Sequence, residues 1–453
     1  MVSAVFMWCM CMKILFVSLG CDKNLVDTEK MIGLLSEKGY EFTDAEEEAE
    51  AVVVNTCCFI GDAKEESINT LLQMAELRSS GQLKVLIAAG CLAQRYKEEI
   101  QKEIPEVDAI IGTMSVTAIT EAMDNVLAGE PENVFYDLTS SPVVRAKRVL
   151  TTGGHFAYLK IAEGCDKNCT YCIIPKVRGR YRSIPMEELV EEAQALADGG
   201  VRELILVAQE TTLYGKDIYG KKSLPELLRK LCRISGLYWI RILYCYPEEV
   251  TDELIEVIAE EEKICHYLDI PIQHASDNIL KKMGRRTNQA ELRENIAKLR
   301  ERIPDICLRT TLISGFPGET QEDFEELYRF VNDIEFDRLG VFTYSQEEDT
   351  VAAELPDQVP DEVKVFRRDE LMELQQEIAF EKAEDMPGTV LTVMVEGKVA
   401  DEDTYVTRTY KDAPGVDGYL FLNTTANLMT GDFVKVIVTD SNEYDLIGEI
   451  YHE

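Results

Sequence analysis

Behind its tightest cysteine cluster this chain has no second CxxC pair and no histidine pair at zinc-finger distance, and its 453 residues include only four histidines. A structural zinc site, which usually takes four ligands as two close pairs, is therefore disfavoured. Positive charge is scarce as well: 47 Lys and Arg face 83 Asp and Glu, for a formal net charge of −36. That balance opposes non-specific attraction to nucleic-acid phosphate and favours basic partners. The apolar stretch from Met1 to Leu19 lacks a basic n-region and a small-residue cleavage site, and Lys13 interrupts it, so neither an export signal nor a membrane anchor is expected. Thirteen cysteines, an odd number without an export signal, do not suit a disulfide framework and imply a reducing, cytoplasmic setting. Because Met12-Lys13-Ile14-Leu15 reads as a natural start, residues 1–11 are expected to be an upstream extension, with Cys9 and Cys11 of little functional weight.

What the chain does contain is Cys165-Asp-Lys-Asn-Cys169-Thr-Tyr-Cys172, three thiols within eight residues. Three thiolates leave one iron of a four-iron cluster without a protein ligand, and an open metal position is where a cofactor or substrate can bind. The length allows two or three domains. In the first ninety residues, three apolar β-branched runs (residues 14–17, 51–54 and 85–89) alternate with helical stretches (25–38 and 63–77), a βαβ pattern with a parallel sheet. Each run is followed within about three residues by a cysteine: Cys21, Cys57 and Cys91. Ligands bind beyond the carboxyl ends of the strands in such sheets, so these three should converge on one edge. Buried cysteines also behave as small hydrophobes, but three at equivalent positions favour a second cluster site. Adjacent residues point in different directions, so only one of Cys57 and Cys58 can join it, and Cys57, directly after Asn55-Thr56 at the strand end, is the choice.

From Thr151 onward six strands, near residues 157–161, 203–207, 239–243, 267–270, 308–313 and 339–342, are separated by amphipathic helices such as 185–198, 224–232 and 289–302. Such units fit a partial parallel (βα)6 barrel with its site at the strands' C-terminal face, where the cysteine trio falls after the first strand. Residues 145–182 carry nine basic side chains against Glu163 and Asp166. A solvated basic face is the ordinary reading. Beside an open iron, Arg178 or Arg180 could instead pair with a carboxylate of cofactor or substrate. A charged helix over 361–384 leads at Met386-Pro387-Gly388 into five short strands (389–396, 404–410, 418–422, 433–438 and 446–450), suited to a small OB-like barrel. From Gly388 onward twelve acidic residues stand against four basic ones, which argues against RNA and for docking on something basic.

The central motif Cys165-x3-Cys169-x2-Cys172, with Tyr171 before its last cysteine, resembles the radical S-adenosylmethionine (SAM) signature. The order of a three-cysteine α/β domain (12–145), a radical SAM domain (151–385) and a TRAM barrel (386–453) is similar over nearly the whole chain to the methylthiotransferase family. The residues carrying that likeness are Ser18-Leu19-Gly20-Cys21-Asp22-Lys23-Asn24, Asn55-Thr56-Cys57, Gly90-Cys91-Leu92 and the central trio. Asp22 stands where the family often has Pro, and Cys58 where a small residue is common.

The resemblance implies two 4Fe-4S clusters, one on Cys21, Cys57 and Cys91, the other on Cys165, Cys169 and Cys172 with SAM at its open iron. Tyr171 would lie against the adenine or simply pack in the core, and Gln209, Glu210 and Gln273 would contact SAM or serve as loop residues. The segments Lys23-Asn24-Leu25-Val26-Asp27 and Ala413-Pro414-Gly415-Val416-Asp417-Gly418 look like the branch that modifies an aspartate of small-subunit ribosomal protein S-12, rather than the branch acting on a transfer-RNA adenosine. A two-cluster electron carrier is the rival of another class. The implied mechanism uses SAM twice, to methylate a sulfur on the first cluster and to form the radical that takes hydrogen from the aspartate β-carbon. A reductant such as flavodoxin or ferredoxin and a sulfur donor are the further partners implied, without a membrane.

Overall fold

The computed structural model describes residues 12–141 and 146–452. The segment 1–11, with Cys9 and Cys11, and the boundary residue Arg145 lie outside the described residues. The chain packs as two compact units: one joins the chain up to Thr151 with Lys160–Ile184 and Ser345–Ala353, the other comprises Thr152–Leu159, Pro185–Tyr344 and Glu354–Glu453. Among the described residues no helix is long and apolar enough to cross a membrane.

The first unit is built on five parallel strands, β1 (Lys13–Ser18), β2 (Glu41–Phe42), β3 (Ala51–Thr56), β4 (Val85–Ala89) and β5 (Ala109–Ile111), in the order β2-β1-β3-β4-β5. Every residue of β3 and β4 is buried, as the uninterrupted apolar runs require of strands covered on both faces. Alternation assigns the faces: Val52, Val54, Leu86 and Ala88 enter one core cluster, while Ala51, Val53, Val85 and Ile87 enter the other. The strand order reverses between β1 and β3, and that switch point opens a crevice beyond their carboxyl ends. Cys21 follows β1 and Cys57 follows β3, so both cysteines lie at that edge.

The second unit carries β6 (Phe156–Lys160, all but its last residue), β9 (Glu203–Val207), β10 (Trp239–Ile242), β11 (Ile264–Asp269), β12 (Cys307–Ser314) and β13 (Arg338–Thr343) in one sheet whose order simply follows the chain. Between β6 and β9 the short pair β7 (Ala162–Glu163) and β8 (Arg182–Ser183) flanks the cysteine loop and belongs to the first unit. Consecutive neighbours joined by helices make the expected partial (βα)6 barrel. The C-terminal strands β14 (Val390–Lys398), β15 (Thr404–Thr409), β16 (Leu420–Asn423), β17 (Phe433–Asn442) and β18 (Asp445–Ile450) close in the order β14-β15-β16-β18-β17, with β16 and β18 parallel, as in an OB-type barrel.

A fully buried ion triad fastens that barrel within its unit. Glu203, the first residue of β9, accepts from Arg241 Nε at 2.7 Å and from Arg408 Nη2 of β15 at 2.5 Å. Burial opposes the charge of Glu203, and the two guanidiniums more than offset it, holding the carboxyl below its usual range. The twelve-to-four acidic excess of the C-terminal barrel is therefore not all available for docking. Glu396 pairs with Arg408 and His155, Asp412 with Arg338, and Asp417 with Arg309 and Tyr267. Asp401, Glu402, Asp403, Asp440, Glu443 and Glu449 remain exposed.

Glu203→Gln leaves two buried guanidiniums facing a neutral amide, a loss of about 3–5 kcal/mol. Its melting transition is expected several degrees below the parent's, and an unchanged transition in calorimetry would refute the triad's role.

Candidate functional site

The first trio is assembled by backbone and amide chemistry at the β1–β3 edge. Leu19 N donates to Asn55 O at 2.9 Å, and Gly20 turns the chain at φ +85° so that Cys21 stands immediately before the helix Asp22–Glu37. A Cβ on Gly20 would lie 2.6 Å from Cys57 Cβ and 2.7 Å from its Sγ, so glycine there permits the approach of Cys57 to the Cys21 turn. Asn24, fully buried, donates through Nδ2 to Leu19 O and Thr56 O, each at 3.0 Å, bracing the residues that lead into Cys21 and Cys57. Asn55 Nδ2 returns a bond to Asn24 O at 2.8 Å. Thr56 Oγ1 donates to Ala89 O at 2.6 Å and accepts from Ala93 N at 3.1 Å, which fixes Cys91 as the second residue of the helix Gly90–Arg95.

Cys57 and Cys58 separate as the alternation requires. Cys57 faces the Gly20 turn, whereas Cys58 is fully buried in the core with Leu71 and Met74, beside Arg95. Burial, then the charge of Cys91, pushes the Cys57 thiol up to about 12, and burial raises Cys91 as well, against the pull of Arg178. Cys21 adds to the repulsion on both. Three neighbouring thiols, two of them buried, that repel one another when ionised suit a cationic body that takes up their charge.

The second trio lies on the loop between β7 and β8. Cys165 N donates to Gly179 O at 3.2 Å, Lys167 N to Cys165 Sγ at 3.5 Å, and Cys172 N to Cys169 O at 3.0 Å. Asn168, between Cys165 and Cys169, takes a left-handed φ of +54°, a turn conformation that asparagine adopts more readily than most residues. Gly164 leaves room where a Cβ would meet Arg180 O at 2.2 Å. Burial, and the neighbouring Cys169 and Cys165, push the Cys172 thiol up. Tyr171 is half-buried beside Cys172. Among the described residues no three His, Cys, Asp or Glu gather tightly enough for a single metal ion. Thiolates of an iron–sulfur cluster need not, since each binds a different iron.

The two arginines part company. Arg180 is exposed and meets Asp166 at 3.4 Å. Arg178 is 1% exposed and turns to the first trio: its Nε donates to Cys91 Sγ at 3.3 Å, its Nη1 to Asp27 and Glu163 at 3.0 Å each, and its Nη2 to Asn24. The expectation that Arg178 pairs with a cofactor or substrate carboxylate is thus corrected, because two protein carboxylates already occupy it. Lys160 completes the cluster, donating to Asp27 and, at 2.9 Å, to Glu163. Asn24, Asp27, Lys160 and Glu163 were not recognisable as site residues from sequence, although Asn24 and Asp27 stand in the segment that marks the family branch.

In the second unit, Gln209 and Glu210 follow β9, Gln273 follows β11 and Gly315 to Gly318 follow β12, all along the carboxyl edge of the sheet. Glu210 Oε1 accepts from Thr212 N at 2.8 Å, and Glu319 Oε2 from Gly315 N and Phe316 N at 2.8 and 3.1 Å, so these carboxylates pin loops. Tyr244 and Gln273 hold left-handed φ values of +60° and +70° at the ends of β10 and β11. Backbone strain of this kind concentrates at functional edges.

A chain-ordered βα sheet, with a CxxxCxxC loop after its first strand, defines a radical SAM protein, and residues 159–331 match the Radical SAM superfamily. A four-iron cluster and SAM come with that class. Residues 13–112 match the Uncharacterized protein family UPF0004, and residues 388–450 the TRAM domain. The ribosomal protein uS12 methylthiotransferase RimO of Lachnoclostridium phytofermentans is 65% identical over 437 residues, covering 96% of this chain and 99% of its own. The protein of that name from Clostridioides difficile is 48% identical over 449 residues, covering 98% and 99%. The chain belongs to the uS12 methylthiotransferase family of radical SAM enzymes. Its fold is similar to the radical SAM methyltransferase TsrM of Kitasatospora setae, with a TM-score of 0.52 at 14% identity over 73% of this chain and 72% of that one.

Gly20→Ala forces a left-handed alanine, at about 1–2 kcal/mol, against the Cys57 side chain. The metal-free variant is expected to melt below the metal-free parent and to expose Cys57 to alkylation; a Cys57 that stays protected would contradict the crowding at Gly20.

Proposed function

We propose that this enzyme adds a methylthio group to the β-carbon of an aspartate in ribosomal protein uS12, working through two iron–sulfur clusters. Residues 12–145 would present sulfur, 151–385 would generate the radical and 386–453 would dock the substrate. The observation that carries the reading is the presence of both cysteine trios in one compact unit, joined through Arg178, which bonds Cys91 on one side and Glu163, two residues before Cys165, on the other. When bound, the SAM-ligated cluster supplies 5′-deoxyadenosyl radical chemistry, which an inert C–H bond needs because no side-chain base can be tuned to deprotonate it.

The chain's own residues hold and orient these groups. Cys165, Cys169 and Cys172 hold the cluster whose open iron takes SAM, and the half-buried ring of Tyr171 suits the adenine. Gln209, Glu210 and Gln273 offer polar contacts along the sheet's carboxyl edge, with Arg180 a solvent-side contact. Cys21, Cys57 and Cys91 hold the second cluster, at the switch-point edge where open α/β sheets bind ligands and a sulfur would be presented. A basic ribosomal protein complements the exposed acids of the C-terminal barrel, whereas transfer RNA would meet a chain of net charge −36. A ribosomal substrate sets the reaction in the cytoplasm, with a low-potential donor such as flavodoxin or ferredoxin and a sulfur source as partners.

Anaerobic reconstitution is expected to give about eight irons per chain. The variant with Cys165, Cys169 and Cys172 replaced by Ala should lose formation of 5′-deoxyadenosine. Replacing Cys21, Cys57 and Cys91 should keep that product and lose thiolation. Incubation with uS12 and with transfer RNA should place the methylthio mass increment on uS12 alone; an increment on RNA would overturn the substrate assignment. No 5′-deoxyadenosine from the reduced parent would leave a two-cluster electron carrier.

A further inference from the structure

Four charges are buried together beside the first trio: Asp27, Lys160, Glu163 and Arg178, with relative exposures of 5, 4, 1 and 1%. Burying two carboxylates and two cations is costly unless each is paired and hydrogen-bonded, and here each is. Within that set the two cations are not equivalent. Lys160 reaches only the carboxylates, whereas Arg178 also turns its Nε–H onto Cys91 Sγ at 3.3 Å. Both carboxylates and the Asn24 amide hold the guanidinium plane, so the Nε–H direction is fixed from three sides. Asn24 is also the residue that braces the Cys21 and Cys57 loops. The arrangement is a rigid cation aimed at one sulfur of the trio.

We propose that Arg178 is the positioning residue that sets the reduction potential of the cluster held by Cys21, Cys57 and Cys91, an inference that rests on those three being ligands. Hydrogen bonds to ligand sulfurs and local net charge are levers by which a protein tunes such clusters. Reduction adds negative charge to the cluster and its thiolates. A charge-assisted N–H···S bond stabilises that state, so the guanidinium makes the cluster easier to reduce. Glu163 and Asp27 act against it by neutralising the cation, which makes the potential a balance among groups drawn from the helix after Cys21 and from both sides of the second cysteine loop.

The test uses the full chain with Cys165, Cys169 and Cys172 replaced by Ala, so that only the first cluster reports. Iron is counted after anaerobic reconstitution and the midpoint potential is read by spectroelectrochemistry. The parent background is expected to hold about four irons. Arg178→Gln should shift the midpoint to more negative values with iron retained, and Arg178→Lys, which keeps the charge, should restore it toward the parent. Glu163→Gln keeps the arginine, removes a neutralising carboxylate and should shift the midpoint the opposite way; it decides the question if Arg178→Gln does not hold iron. An unchanged midpoint in Arg178→Gln with full iron, or in Glu163→Gln when that variant must decide, overturns the proposal and leaves Arg178 a structural strut. A background without iron refutes the assignment of the three ligands itself, so the iron count tells the two failures apart.

Discussion

The guanidinium of Arg178 is the contact on which the first unit depends. It comes from the short helix Ile174–Arg178 that follows the second cysteine loop, yet its partners are Asn24 and Asp27 on the helix after Cys21, and Cys91 after β4. A charge this deeply buried is tolerated only when its neighbours satisfy it, and those neighbours are the residues that shape the first trio. Hydrogen bonding and charge compensation therefore fix the geometry of both cysteine loops together.

A different charge set performs the equivalent task in the second unit. Glu203 between Arg241 and Arg408 ties the central sheet to the C-terminal barrel, and Asp412 and Asp417 add contacts to Arg338 and Arg309. Buried ion pairs of this kind fix which groups meet more than they add net stability. They also sort the acids of the barrel: one subset faces inward and holds the structure, while the loops near Asp401 and Glu443 leave charge free for a partner.

Much of this was legible in the sequence. The β-branched runs at 51–54 and 85–89 are long enough to require burial on both faces, and the cysteines just beyond them fall at one edge of the sheet. Alternation let only one of Cys57 and Cys58 into the site, and the place of Cys57 directly after Asn55-Thr56 decided between them; Cys58 lies in the core with Leu71 and Met74. The short strands β2 and β5 escaped notice because two and three residues carry no periodic signal. The role of Arg178 was hidden for another reason. Its partners Cys91 and Asp27 lie 87 and 151 residues away, so a basic residue in a basic stretch read as solvent-facing or as a ligand for something external. Glu203 carried no signal beyond its place in the strand at 203–207, because the arginines that neutralise it arrive from β10 and β15.

The segment Ser345–Ala353 returns to the first unit after β13 has been completed. There Glu347 binds Arg95 at 3.0 Å and Lys64 at 2.8 Å, and Ala352 N reaches Thr170 O, inside the second cysteine loop, at 2.8 Å. The unit that carries both cysteine trios is thus closed by a piece of chain synthesised long after its first strand. Contacts this distant in sequence form slowly and late, so the first unit is completed only when most of the polypeptide has been made.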